Sequence, residues 1–269
     1  MSLVFAAIAP HGTLREAPVE NADATHAALE ELGRRFTAAA PETTIVLTPH
    51  NVHVEGHFAV VLAGMLAGRL AMFDAPEVAL ACPVDLELAA NVVVALHDDG
   101  IPVVGASFGA NDPGEATAPM DWGVLIPLWH MGGRAEPQVP AVVVSPARDR
   151  PLEEHVRAGA AIARAAASGG KRVALIASAD HGHAHDPDGL YGFHPAAAEY
   201  DEQVVRLVQD NQLGCLLELD PAFVDDAKAD SWWQMLMLHG ALGDAWEAEF
   251  LSYERSTYFG MLCAAYVPS

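Results

Sequence analysis

Basic residues are scarce in this chain: 14 Lys and Arg stand against 36 Asp and Glu, a formal charge of −22 over 269 residues. That balance argues against nucleic-acid or anionic-membrane partners, both of which need a cationic surface. It says little about which small molecule binds. Cysteine is scarcer still: Cys82, Cys215 and Cys263 are scattered and odd in number. They exclude a disulfide framework and fit reduced thiols in the cytoplasm. No apolar run reaches about 18 residues without a charge, so no membrane span is expected. Met1-Ser2-Leu3-Val4-Phe5 lacks the basic start of a signal peptide. Also missing are HExxH, a phosphate-binding glycine loop, a GxSxG elbow and CxxC, which leaves the standard readings for those motifs without support.

What is present is an alternation of apolar strands and amphipathic helices, in a chain that is 52% hydrophobic with mean hydropathy +0.19. Leu3 to Ala9, Thr44 to Thr48, Pro102 to Gly105, Ala141 to Val144, Val173 to Ala177 and Gly260 to Val267 read as strands. Helices are expected over Asn21 to Ala39, Asp85 to Asp98, Leu152 to Ala167, Ala197 to Asn211 and Pro221 to Leu242. Periodicity leaves Phe58 to Phe73 as either hairpin or helix. Gly109 to Pro119 reads as a turn-rich loop and Gly132 to Pro140 as a mobile one. No repeat or linker divides the chain. The expectation is one α/β domain over residues 1–269, with a central mixed, mostly buried sheet and helices on both faces.

The chemistry gathers at strand ends. Val173 to Ala177 runs into Ser178-Ala179-Asp180-His181-Gly182-His183-Ala184-His185, placing three of the 13 histidines within five residues. Ligands in α/β sheets bind at that carboxyl edge. The first two strands both end in Pro-His, at Pro10-His11 and Pro49-His50. Proline stops the ladder, and the next side chain projects from the edge. If those strands lie side by side, both imidazoles enter one crevice. A single such histidine is more often a hydrogen-bonded structural residue; two in matched positions favour metal binding. His53 and His57 compete with His50, which has the better claim because it ends the strand. Ser178, Asp180 and His181 invite a hydrolase reading, but one short loop rarely reaches triad geometry.

Several segments, in order over most of the chain, resemble the class III extradiol ring-cleavage dioxygenases, the superfamily of the protocatechuate 4,5-dioxygenase catalytic subunit, and particularly its Memo-like branch. They are Ile8-Ala9-Pro10-His11, Val46-Leu47-Thr48-Pro49-His50, Asp121-Trp122-Gly123 with Ile126-Pro127-Leu128, Ser178 to His183, Asp188 to Pro195, Leu219-Asp220-Pro221 and Met235 to Leu242.

The resemblance implies a mononuclear non-haem Fe(II) held by two histidines and one carboxylate, with open positions for a catechol-like or aminophenol-like substrate and O2. His11 and His50 match the histidine ligands. The third position falls on Asp230, where family enzymes usually have Glu and the Memo-type proteins Cys; Asp225 and Asp226 are the alternative carboxylates. Asp230 reads equally as a helix-start acid. His183 matches the family's acid/base histidine, with His181 the close competitor. Trp122, His194 and Asp180 are the candidates for contacting substrate. Trp122 stands where many family enzymes carry a histidine, and it cannot exchange protons. A homo-oligomer is the expected assembly. Two rivals stay open: a Memo-like metal-binding protein without ring cleavage, and a metal-dependent hydrolase using the same pocket.

Overall fold

A computed structural model describes residues 3–269. In chain order its elements are β1 (Leu3–Ala9), α1 (Asp23–Ala39), β2 (Thr43–Leu47), β3 (Phe58–Val61), β4 (Met65–Leu70), β5 (Ala75–Pro83) and α2 (Leu86–Asp98). There follow β6 (Val103–Ala106), β7 (Thr117–Pro119), α3 (Trp122–His130), β8 (Ala141–Ser145), α4 (Leu152–Ser168) and β9 (Val173–Ser178). The chain closes with α5 (Ala196–Gln209), α6 (Pro221–Ala227), α7 (Trp232–Leu242), β10 (Trp246–Arg255) and β11 (Gly260–Pro268).

Eight strands form one sheet in the order β10-β11-β1-β9-β2-β8-β3-β6. The central four, β1, β9, β2 and β8, run parallel, so their carboxyl ends share one edge. β11 and β3 pair antiparallel on either side of them, which makes the sheet mixed. Alternate side chains of β1 enter different cores. Phe5, Ala7 and Ala9 pack with Leu29, Leu32 and Phe36 of α1. Ala6 and Ile8 join the core that contains Ala158 and Ile162 of α4 and Leu236 of α7. Burial on both faces explains why these strands read as continuous apolar runs. The α/β fold with helices on both faces is therefore as the sequence suggests.

Several local expectations change. β1 and β2 are not side by side; β9 lies between them. Phe58 to Phe73 is neither hairpin nor helix, because β3 joins the large sheet while β4 pairs with β5 and β7 in a small second one. That small sheet, α3 and β10 have no counterpart in the sequence reading. The helix expected over Pro221 to Leu242 is broken. Lys228 adopts a left-handed conformation (φ 52°) and ends α6, and α7 starts afresh at Trp232. The cause is tertiary. The carbonyls of Ala227 and Lys228 accept hydrogen bonds from His183, at 2.9 Å from its N–H and 3.0 Å from Nδ1, in place of the next helical turn. Gly132 to Pro140 is an irregular loop tied to β5 by Gln138, whose Nε2 donates to the Ala81 carbonyl at 2.5 Å.

Candidate metal centre

The parallel strands deliver four polar segments to one edge: His11 beyond β1, His50 beyond β2, Asp180 beyond β9 and Arg148 beyond β8. The break between α6 and α7 adds Asp230 from above. Among the described residues, His11, His50 and Asp230 form a group whose ligand atoms all lie within 4.8 Å of one another. The two Nε2 atoms are 3.2 Å apart. Asp230 Oδ2 is 3.7 Å from His11 Nε2 and 3.4 Å from His50 Nε2.

The tautomer of His11 is fixed by its neighbours. Proline inside a helix removes an i→i−4 hydrogen bond, and Pro127 in α3 thereby leaves the Gly123 carbonyl free. Ser178 Oγ donates its proton to that carbonyl at 2.5 Å. The same Oγ is 2.8 Å from His11 Nδ1, and with its proton committed it accepts from Nδ1–H. Nε2 of the neutral ring therefore points its lone pair at His50 and Asp230, the orientation a ligating histidine receives from its supporting shell. Gly123 serves a second purpose: a Cβ there would come within 2.6 Å of Thr48 Oγ1 and 3.0 Å of the His50 ring. Trp122 rests on His50, ring centres 4.5 Å apart, and Asp121 caps α3 through Val124 N–H at 3.1 Å. Gln234, the lone polar side chain of an apolar helix face, donates from Nε2 to the Ser178 carbonyl at 3.0 Å and to the Asp230 carbonyl at 2.6 Å. It ties the Asp230 loop to β9.

The electrostatics favour positive charge here. Burial acts against a charged His11, but the carboxylates of Asp180, Asp230 and Asp121 outweigh it and raise the ring to about 9. Burial likewise acts to raise Asp230, and the adjacent imidazoles of His11 and His50 outweigh it, holding the carboxylate well below the usual range. Asp230 Oδ1 is buried without a partner. Two imidazoles and a carboxylate converge with one oxygen unsatisfied, a donor set of the two-histidine, one-carboxylate type that suits Fe(II). Asp230 does not cap α7, since Ser231 occupies the cap position.

The other candidates separate. Asp180 is buried and its Oδ1 accepts the His11 N–H at 3.0 Å, which positions that residue. His181 is buried, its Nδ1 2.9 Å from Ser231 Oγ, which also meets Tyr200 Oη at 2.8 Å; burial lowers its pKa. The trio Ser178, Asp180 and His181 thus forms no hydrolytic triad, because each has a different partner. His183 Nδ1 faces two carbonyls, His181 at 2.8 Å and Lys228 at 3.0 Å. Carbonyls only accept, so Nδ1 carries the proton and Nε2 is the free base. The ring stacks on Phe259 at 5.8 Å and meets Tyr191 edge-on at 5.6 Å. His194 lies apart: it is exposed, its Nδ1 accepts from Ala196 N–H at 3.3 Å at the start of α5, and it stands 3.9 Å from Asp226. Asp225 pairs with Lys228 at 3.1 Å. His53 and His57 are not part of the group.

A cavity of about 650 Å³ opens over the centre, lined by His50, Asp230, Arg148, Tyr191, Trp232 and Trp233 among others. Of the residues built into this site, Gln234, Arg148 and the supporting role of Ser178 escape sequence reading. A single Gln one turn after Asp230, inside Trp-Trp-Gln-Met-Leu-Met-Leu, is the signal that was available.

The carboxyl edge of the parallel strands thus gathers His11, His50 and Asp230 beneath an aromatic-walled cavity in an α/β fold. The chain belongs to the family described as the catalytic LigB subunit of aromatic ring-opening dioxygenase, whose model matches residues 6–265. It is similar to Protein CA_C1420 of Clostridium acetobutylicum, 25% identical over 244 residues that make up 90% of this chain and 51% of that protein. The chain thus spans about half the length of that relative. Its fold is like that of the uncharacterized protein JW3007 from Escherichia coli K12, with a TM-score of 0.63 at 18% identity, covering 97% of this chain and 99% of that one. Among the described residues no helix is long and apolar enough to cross a membrane.

Proposed function

We propose that residues 1–269 act as one catalytic domain, a non-haem Fe(II)-dependent extradiol dioxygenase that opens the ring of a catechol-like or aminophenol-like aromatic with O2. The observation that carries this reading is the convergence of His11, His50 and Asp230, with His11 Nε2 oriented through Ser178, beneath the cavity. Fe(II) held there would bind the diol oxygens and O2 together and let electrons pass from ring to oxygen.

The protein's own groups supply the rest. His183 Nε2 takes a proton from the diol hydroxyl and later returns one, since Nδ1 is committed to the two carbonyls. Tyr191, Trp232 and Trp233 wall the ring and exclude water. Asp180 and Gln234 hold the two ligand segments in register.

A second reading has one observation in its favour. Trp122 leans on His50 where family enzymes carry a proton-exchanging histidine, which fits a protein that binds metal without turnover. Anaerobic purification, iron loading and oxygen uptake over a catechol panel decide between them. Consumption of O2 with a ring-opened product supports the enzyme; full iron occupancy with no uptake on any member supports the binding protein.

A further inference from the structure

The ring-cleavage reading leaves one buried acid near His183 without a task. Asp201 is the single charged residue on the buried face of α5, among Ala197, Tyr200, Val204 and Val208. Its carboxylate accepts three hydrogen bonds. Gly182 N–H meets Oδ1 at 2.7 Å, and His185 Nε2 and Tyr253 Oη meet Oδ2 at 2.8 and 2.6 Å. Two glycines keep room for it: a Cβ on Gly182 would come within 3.0 Å of Oδ1, and one on Gly260 would overlap Oδ2. Burying a carboxylate is costly, and apolar replacement of a buried ionic group and its partner is often neutral or stabilising. Stability alone therefore does not account for an acid at this position.

The bond to Gly182 is the one that reaches the site. That N–H belongs to the same peptide unit as the His181 carbonyl, which accepts from His183 Nδ1 at 2.8 Å. A peptide is planar, with its N–H and C=O at opposite ends, so a partner that fixes one end fixes the other. An anionic acceptor on the N–H also polarises the unit and strengthens the carbonyl as an acceptor. His185 adds a second hold, two residues beyond His183, on the other oxygen of the same carboxylate.

We propose that Asp201 is a positioning residue for His183, acting through the His181–Gly182 peptide. It holds the carbonyl that keeps a proton on Nδ1 and so leaves Nε2 free to take one from the substrate. This rests on the ring-cleavage reading of the site, but proton transfer to His183 can be read without turnover.

The test uses 4-nitrocatechol, whose absorption moves to longer wavelength with each proton lost. It is bound anaerobically to Fe(II)-loaded wild type, Asp201→Asn, Asp201→Leu, His183→Phe and the double variant His183→Phe with Asp201→Asn. Metal content, thermal unfolding and oxygen uptake on catechol are measured on each. Wild type should show the shift of the fully ionised diol, and His183→Phe should lose it. Asp201→Asn keeps an acceptor for Gly182 but loses the charge, so it should retain part of the shift; Asp201→Leu should retain less. Asp201→Asn preserves the shape of the side chain, so the test survives a failure of Asp201→Leu to fold. In Asp201→Asn kcat should fall about 10- to 100-fold, the usual effect of losing a supporting partner, with KM and iron content unchanged. In the His183→Phe background the same substitution should change nothing further. No shift in wild type, a full shift in Asp201→Asn, an added loss in the double variant, or loss of iron from Asp201→Asn would each overturn the proposal. A shift that depends on both Asp201 and His183, in protein that takes up no O2, would sink the ring-cleavage reading alone.

Discussion

His11 and His50 reach one point from strand ends that β9 separates, and Asp230 closes the group from a different element altogether. Because both histidines sit beyond their strands, His11→Ala or His50→Ala should abolish Fe(II) binding and leave circular dichroism unchanged. Asp230→Ala should weaken binding less completely, and Asp225→Ala or Asp226→Ala should not affect it, since Asp225 pairs with Lys228 and Asp226 lies by His194. Stoichiometric iron in either histidine variant would remove that residue from the site. His183 carries the second residue-scale claim. His183→Phe removes both ring nitrogens, keeps similar bulk and leaves the three ligand side chains in place, so iron and catechol should still bind. Turnover should fall about 10²- to 10⁴-fold, the usual worth of a positioned acid or base. His181→Phe should instead lower thermal stability, as it strands Ser231 and Tyr200 in the core. Unchanged turnover in His183→Phe, with the loss appearing in His181→Phe, would reverse the assignment. Another histidine sets a pH limit. His155 packs on Phe58 with its Nε2 unpartnered, and burial pushes it down to about 4 from the ordinary 6.5. A neutral fold against an unfolded chain that protonates at 6.5 means its stability is complete above that value and is lost as pH falls toward 4. The loss is on the order of 3 kcal/mol at most. Urea midpoints between pH 7 and 4 should therefore fall less steeply in His155→Leu than in wild type.

At the scale of elements, α3 works as a bracket for both His11 and His50. Pro127 frees the Gly123 carbonyl for Ser178, which orients His11; the missing Cβ of Gly123 admits His50. Gly123→Ala removes none of the three converging side chains, yet by crowding the His50 ring it should lower metal affinity about 10- to 100-fold, the usual effect of disturbing a supporting shell. Metal titration by competition with a chelator measures this; unaltered affinity with normal stability would show the bracket to be irrelevant. A second close approach lies between α4 and α7, where a Cβ on Gly159 would overlap the Met237 carbonyl. Gly159→Ala should cost about 1–3 kcal/mol by overpacking.

Over the whole molecule, the strands buried on both faces were legible because continuous apolar runs ending in Pro-His have few alternative explanations. Leu3 to Ala9 and Thr44 to Thr48 illustrate this, and the fold class followed from the alternation of apolar runs with helices. The break at Lys228 was not legible. Its cause is His183, 45 residues away, and neither Gly nor Pro marks the spot. The small β4-β5-β7 sheet escaped for another reason: β4 and β5 form a hairpin of half-buried strands, and the three-residue β7 joins it from a distant segment. His11 and His50 were singled out by their matched Pro-His strand ends and Asp230 by resemblance, and the structure draws the three together. Arg148 and Gln234 matter only through what they face, which no spacing rule records. The most direct measurement of the account is oxygen uptake by anaerobically purified, Fe(II)-loaded protein given a panel of catechols. The account predicts consumption of O2 and substrate in equal amounts with a ring-opened product. An iron-replete, folded protein that consumes neither on any member would contradict it.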